Sequence, residues 1–85
     1  MSGATFNYTE LAKRVVDVVR PDFPNDTIDT SEGYQGRVHL KLVSRFFNGK
    51  SEPEKQDYIW RLLRDRLGAD AEAVSLALVY GTDEL

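Results

Sequence analysis

No cysteine occurs among the 85 residues, and histidine, tryptophan and methionine occur once each. The first absence excludes a disulfide framework, a thiolate metal site and a thiol nucleophile. It also fits a reducing compartment. With His39 as the sole histidine and no serine beside it, neither a multi-histidine metal cage nor a local serine–histidine pair can be assembled from neighbouring residues. No apolar run approaches the ~20 residues a membrane helix needs. The opening MSGATFNYTE has no basic segment followed by an apolar stretch, so no secretory signal is visible and a soluble, cytoplasmic protein is expected. Repeats, low-complexity tracts and internal linkers are missing too. The chain reads as one domain over residues 1–85, with 1–5 and 81–85 expected to be flexible tails.

What is present is unevenly charged. Residues 1–36 hold three basic and six acidic groups (−3), residues 37–66 eight and four (+4), and residues 67–85 none and four (−4), which together give the net −3. A basic middle between acidic ends can attract an acidic protein or a nucleic-acid backbone. It can equally be the solvated outer face of one strand and one helix.

The pattern along the chain predicts α-β-β-α-β. Asn7 stands before FNYTELAKRVVDVVR's helical stripe with Glu10 three residues on, the spacing of a capping box. Tyr8, Leu11, Val15, Val18 and Val19 then recur at three and four, and Pro21 ends the helix at Arg20. TIDTS is a short polar strand, Gly33 and Gly36 bracket a turn, and in RVHLKLVS the residues Val38, Leu40 and Leu42 alternate with His39, Lys41 and Val43. Ser51 and Glu54 make a second capping box, and Ile59, Leu62, Leu63 and Leu67 form the inner stripe of a helix that Gly68 terminates. In the last strand, Val74, Leu76, Leu78 and Tyr80 share one face, and Ser75, Ala77 and Val79 the other. The fold class is therefore α+β, with a three-stranded sheet and both helices on one face.

Gly49-Lys50-Ser51 before the second helix invites comparison with a phosphate loop. G-x-x-x-x-G-K-[ST] requires a glycine five residues before Gly49, so that backbone N–H groups can curl round the phosphates. That position is Ser44, and two phenylalanines follow within the loop. The motif is not a nucleotide cradle. Phe47 can instead drop into the core, Gly49 can permit an unusual turn and Ser51 can cap the helix. Lys50 is left over: a cation beside a helix N-terminus, where the helix dipole would not place it.

VSRFFNGKS, residues 43–51, resembles the V-S-x-x-F-x-G-K-S signature of the BolA family at Val43, Ser44, Phe47, Gly49, Lys50 and Ser51. TIDTSEG, IWRLLRDRLG and AVSLALVYGTDEL are similar to that family's first strand, long helix, and last strand with acidic tail. The resemblance implies a class II KH-like fold and a small non-enzymatic adaptor or regulator that binds a protein, among such partners a monothiol glutaredoxin. In that partnership a histidine early in the long helix ligates a shared [2Fe–2S] cluster. The matching position here is Gln56, between Lys55 and Asp57, and an amide does not replace an imidazole as an iron ligand. A second ligand usually comes from the loop between the first two strands, here SEGYQG, which holds neither histidine nor cysteine. Docking without a shared cluster is the expectation, with no cofactor and no metal.

The expected partner surface is the Phe46–Ser51 loop, with Phe47, Asn48, Gly49 and Lys50, together with Lys55, Trp60 and Arg64 on the exposed side of the second helix. Trp60 lies about 100° round the helix from Ile59, a position suited to anchoring a partner or to lateral packing. The alternative function is single-stranded nucleic-acid binding by Arg37, Lys41, Arg45, Lys50 and Lys55, with Tyr34 for stacking. Gly33-Tyr34-Gln35-Gly36 has the G-x-x-G spacing of a KH clamp, but it joins two strands rather than two helices and reads as a hairpin turn. A sequence pI near 5.0 weighs against this alternative. Asp29 and Glu32 could be paired carboxylates, yet a chain with two helices and three strands leaves little room for a water-excluding pocket, and an enzyme is not expected.

Overall fold

The computed structural model describes residues 5–85. Helix α1 spans Tyr8–Val19 and α2 spans Glu52–Leu67; strands β1, β2 and β3 span Thr27–Glu32, Val38–Val43 and Val74–Tyr80. The sheet runs β1-β2-β3, with β1 antiparallel to β2 and β2 parallel to β3. The α2 crossover supplies the long connection that a parallel pair requires. The chain is thus the α+β domain that its pattern predicts.

The helices start where their side chains can satisfy free backbone N–H groups. Asn7 Oδ1 accepts the Glu10 N–H at 3.3 Å. At α2 both halves of the box form: Ser51 Oγ accepts the Glu54 N–H at 3.3 Å, and Glu54 Oε1 accepts the Ser51 N–H at 2.7 Å. That bond to the Ser51 N–H holds the Glu54 carboxyl below its ordinary value. Pro21 stops α1, and Arg20–Asp22 continues as a 3-10 turn. Gly68 ends α2 with φ +59°. Between β1 and β2, Gly36 adopts φ +81° and lies so close to the Phe6 carbonyl that a Cβ there would be 2.0 Å from its oxygen. The Gly33–Gly36 segment is accordingly a hairpin turn.

Both helices cover one face of the sheet. Ala12, Val15 and Val19 of α1 and Ile59, Leu62, Leu63 and Leu67 of α2 meet Val38, Leu40 and Leu42 of β2, with Phe23 and Phe47 closing one end. Strand β3 departs from simple alternation. Val38 pairs with Val74 but His39 pairs with Leu76, so Ser75 is an extra residue in a bulge. The extra residue shifts the phase of the strand. Val74, Ala77 and Val79 are therefore buried, while Leu76 and Leu78 are 41% and 40% exposed on the open face. The expected grouping of Val74 with Leu76 and Leu78 is corrected by this bulge.

Residues 81–85 also depart from expectation. Of the two expected tails, 1–4 lie outside the described residues, whereas Thr82–Glu84 is a 3-10 turn packed by polar contacts against the loop that precedes α2. Its acidic side chains have donors to meet there, so it does not behave as a free charged end.

Candidate functional site

The loop from Ser44 to Ser51 is built from the inside. The Ser44 N–H donates to the Tyr80 carbonyl at 3.0 Å, extending the β2–β3 ladder by one bond. The Ser44 hydroxyl donates to Asp26 Oδ2 at 2.9 Å and accepts the Phe46 N–H at 3.1 Å, which turns the chain into a 3-10 segment over Arg45–Phe47. Phe47 is then fully buried, stacked on Phe23 at 5.5 Å between centroids and edge-on to Tyr58 at 5.7 Å. Gly49 takes φ +78°, and the Lys50 N–H returns to the Phe47 carbonyl at 3.1 Å. Five anchoring roles thus account for Ser44, Phe47, Asn48, Gly49 and Ser51. Beside the exposed Arg45, two side chains project together from this frame: Phe46, 49% exposed, and Lys50, whose ammonium lies 5.0 Å from the Phe46 ring centroid.

Lys50 borders a surface groove of ≈ 390 Å³ that runs from Asp22 along α2, with Tyr58, Arg61, Leu62 and Arg66 on its walls. Arg66 is fixed there by Asp22 Oδ2 at 2.9 Å and the Val18 carbonyl at 2.8 Å, and Arg61 by Asp57 at 2.8 Å. Burial, then the Asp22 carboxylate, pushes the Tyr58 phenol up, so it presents a neutral hydroxyl at physiological pH. The groove combines Leu62, the Tyr58 ring and paired charges of both signs, a lining of mostly polar residues.

The acidic turn occupies the other side of the loop. The Asn48 side-chain amide donates to Thr82 Oγ1 at 3.0 Å and accepts the Asp83 N–H at 3.2 Å; the Gly49 N–H donates to Asp83 Oδ2 at 3.1 Å. Asn48 and Gly49, expected to meet a partner, are engaged by the chain itself. Lys55 is a further correction. It is 1% exposed rather than solvent-facing, its ammonium held by Glu52 at 2.6 Å and by Glu84 at 2.7 and 2.9 Å. The residue lies four before Ile59, on the apolar stripe, and that spacing was the available signal. Glu52 and then Glu84 hold the Lys55 ammonium's pKa up; in return Lys55 and the Gly81 N–H hold Glu84 down.

Trp60 and Arg64 do not share a surface with Lys50. About 200° of helical turn separate Tyr58 from Trp60, which places Trp60 and Arg64 on the opposite flank of α2. Trp60 is half-buried against the core and Arg64 is exposed. Gln56 explains the local order. Its Nε2 donates to the Ala77 carbonyl at 2.8 Å, and its Oε1 accepts the Trp60 indole N–H at 3.0 Å. The Tyr80 carbonyl faces β2, so strand alternation turns the Ala77 carbonyl to the free edge of the sheet, where Gln56 stands in for a missing strand. At the position where the resemblance implies a cluster ligand, this chain has an amide committed to its own fold. Replacing Gln56 by Ala strands a carbonyl and an indole N–H, and is expected to cost about 1–3 kcal/mol in urea unfolding with a red-shifted Trp60 emission.

Of the basic strip expected for nucleic acid, one member is lost and the others are spread along β2 and the loop after it. Arg37 sits at the hairpin end of β2 over the Phe6 ring, Lys41 lies mid-sheet near Tyr80, and Arg45 is past the strand's far end, roughly 25 Å from Arg37 along the chain. Lys55 is removed altogether by its two carboxylates. His39 is half-buried on the open face, its ring so close to Gly33 that a Cβ there would be 2.5 Å from Nε2. Among the described residues no group of three or more His, Asp and Glu side chains is placed to hold a metal ion. None of their helices is long and apolar enough to cross a membrane. In comparisons with protein-family models, curated proteins and solved structures, nothing matches the chain.

Proposed function

We propose that the protein is a small non-enzymatic adaptor of BolA type that docks a protein partner at Phe46, Lys50 and the adjoining α2 groove. The partner we assign is a monothiol glutaredoxin, met without a shared iron–sulfur cluster. One observation carries the reading. Ser44, Phe47, Asn48, Gly49 and Ser51 hold the loop's shape, and beside the exposed Arg45 the fixed frame displays an aromatic ring with a cation over it at the mouth of a groove. A rigid aromatic anchor next to a charged group loses little conformational freedom on binding, which is the property of an interface hot spot. The engagement of Gln56 by Ala77 and Trp60 favours docking without the cluster.

The test is amide-shift mapping of the ¹⁵N-labelled chain while apo monothiol glutaredoxin is added. Shifts are expected at Phe46, Lys50, Tyr58 and Arg61, and Phe46→Ala with Lys50→Glu should weaken binding by about tenfold or more. Shifts absent from the loop and groove at saturating partner would refute the proposal.

A further inference from the structure

The contacts on the side of the loop away from the groove resemble a binding site with its ligand in place, and the ligand is the chain's own acidic turn. Three groups meet four features of that turn. The Gly49 N–H meets the Asp83 carboxylate, Lys55 meets the Glu84 carboxylate, and the Asn48 amide meets the Thr82 hydroxyl and the Asp83 N–H. We propose that Asn48, the Gly49 N–H and Lys55 form a site for a short acidic peptide segment of a protein partner, of hydroxyl–Asp–Glu type, and that residues 82–84 occupy it in cis. The inference rests on reading this loop as a docking surface and names the second kind of contact made there.

Two features make the occupant exchangeable. Thr82, Asp83, Glu84 and Leu85 are all exposed and none belongs to the apolar core, so release of the turn takes no side chain out of that core. Nor does release strand the buried cation, because Glu52 stays at 2.6 Å from the Lys55 ammonium. Local opening of such a polar, core-free segment lies at the low end of the stability range within a domain. A tethered occupant has a high effective concentration. The intact chain should therefore accept an acidic segment in trans only weakly, and weakening the turn should open the site.

The experiment uses the full chain, wild type and Asp83→Ala/Glu84→Ala, titrated with acetyl-Gly-Thr-Asp-Glu-Leu-amide and with the peptide carrying Asn and Gln for its two acids. Amide shifts of Asn48, Gly49 and Lys55 report binding. The expected result is that the variant binds the acidic peptide at least about tenfold more tightly than wild type and ignores the neutral one. Equal binding by both proteins, no binding by the folded variant, or equal binding of both peptides overturns the proposal. If the double variant does not fold, Asp83→Ala alone leaves the Lys55–Glu84 pair intact. Its Gly49 amide should then exchange with solvent about tenfold faster, and unchanged protection overturns the proposal. Loss of glutaredoxin binding with peptide binding intact would remove that partner and keep this site; the reverse would remove the site and keep the partner.

Discussion

Phe47→Ala is expected to lower the unfolding free energy by about 3–5 kcal/mol, measured by urea denaturation followed through Trp60 emission. The side chain is fully buried where the loop, the 3-10 turn ending at Asp22 and α2 converge, and it touches Phe23, Phe46 and Tyr58 in aromatic pairs with centroids 5.1–5.7 Å apart. Truncation removes the transfer energy of a whole ring and leaves a cavity among side chains that face one another across it. Each aromatic pair adds about 0.5–1.5 kcal/mol beyond area burial. A domain of this size holds roughly 5–10 kcal/mol in total, so the variant should lose about a third or more of its stability. Phe46→Ala is the contrast. That ring also meets Phe23, Phe47 and Tyr58 but is half-exposed, so its loss should cost about 1–2 kcal/mol while removing the projecting half of the proposed docking pair. Similar losses of stability in the two variants would mean that Phe46 is as structural as its neighbour and would weaken the case for the loop as a surface.

That difference between adjacent phenylalanines was only half legible in the sequence. Signals confined to a few residues were readable: Asn7, Ser51, Glu54 and Gly68 mark helix ends because a cap is satisfied within four residues of itself. The apolar stripes of α1 and α2 and the alternation of β2 were readable for the same reason. Features whose cause lies far along the chain were not. Val74–Tyr80 carries apolar residues on both faces, and the bulge at Ser75 becomes apparent only when the strand is laid in register beside Val38 and His39. The segment after Tyr80 reads as a solvated tail because it is polar, yet Asn48 and Gly49 lie 34 residues away from Thr82 and Asp83 with donors to offer. Gln56 was legible as a glutamine where the resemblance implies histidine, but not as the residue that bonds the Ala77 carbonyl of β3. For the site, then, the sequence pointed to the loop and to Lys50. It did not show that Lys55 and Gln56 take their partners from the turn beyond β3 and from β3 itself, with Trp60 held by Gln56.

Lys55 should respond to substitution according to charge rather than size. Lys55→Met places an apolar chain of similar length on a stripe that already contains Ile59, Leu62 and Leu63, and leaves Glu52 and Glu84 exposed enough to be hydrated. Replacing a buried ion pair by a hydrophobic residue is often near neutral, so its melting temperature should stay within about 5 °C of wild type. Lys55→Glu instead buries a carboxylate between two others, and is expected to lower the melting temperature by on the order of 20 °C at neutral pH. The same network sets an acid limit. Glu84 and Glu54 have folded-state values depressed below those of the unfolded chain, by Lys55 with the Gly81 N–H and by the Ser51 N–H respectively. Their contribution is therefore complete above the ordinary glutamate range and is lost as pH falls below about 4.5 towards the depressed folded values. Melting curves from pH 7 to pH 3 should show this decline in the wild type. Lys55→Met, which removes the main cause of the Glu84 depression while keeping the Ser51–Glu54 box, should show a shallower one. An equally steep decline in Lys55→Met would place the acid sensitivity elsewhere, and a folded Lys55→Glu at 37 °C would show that the ammonium is not the group holding the turn against α2.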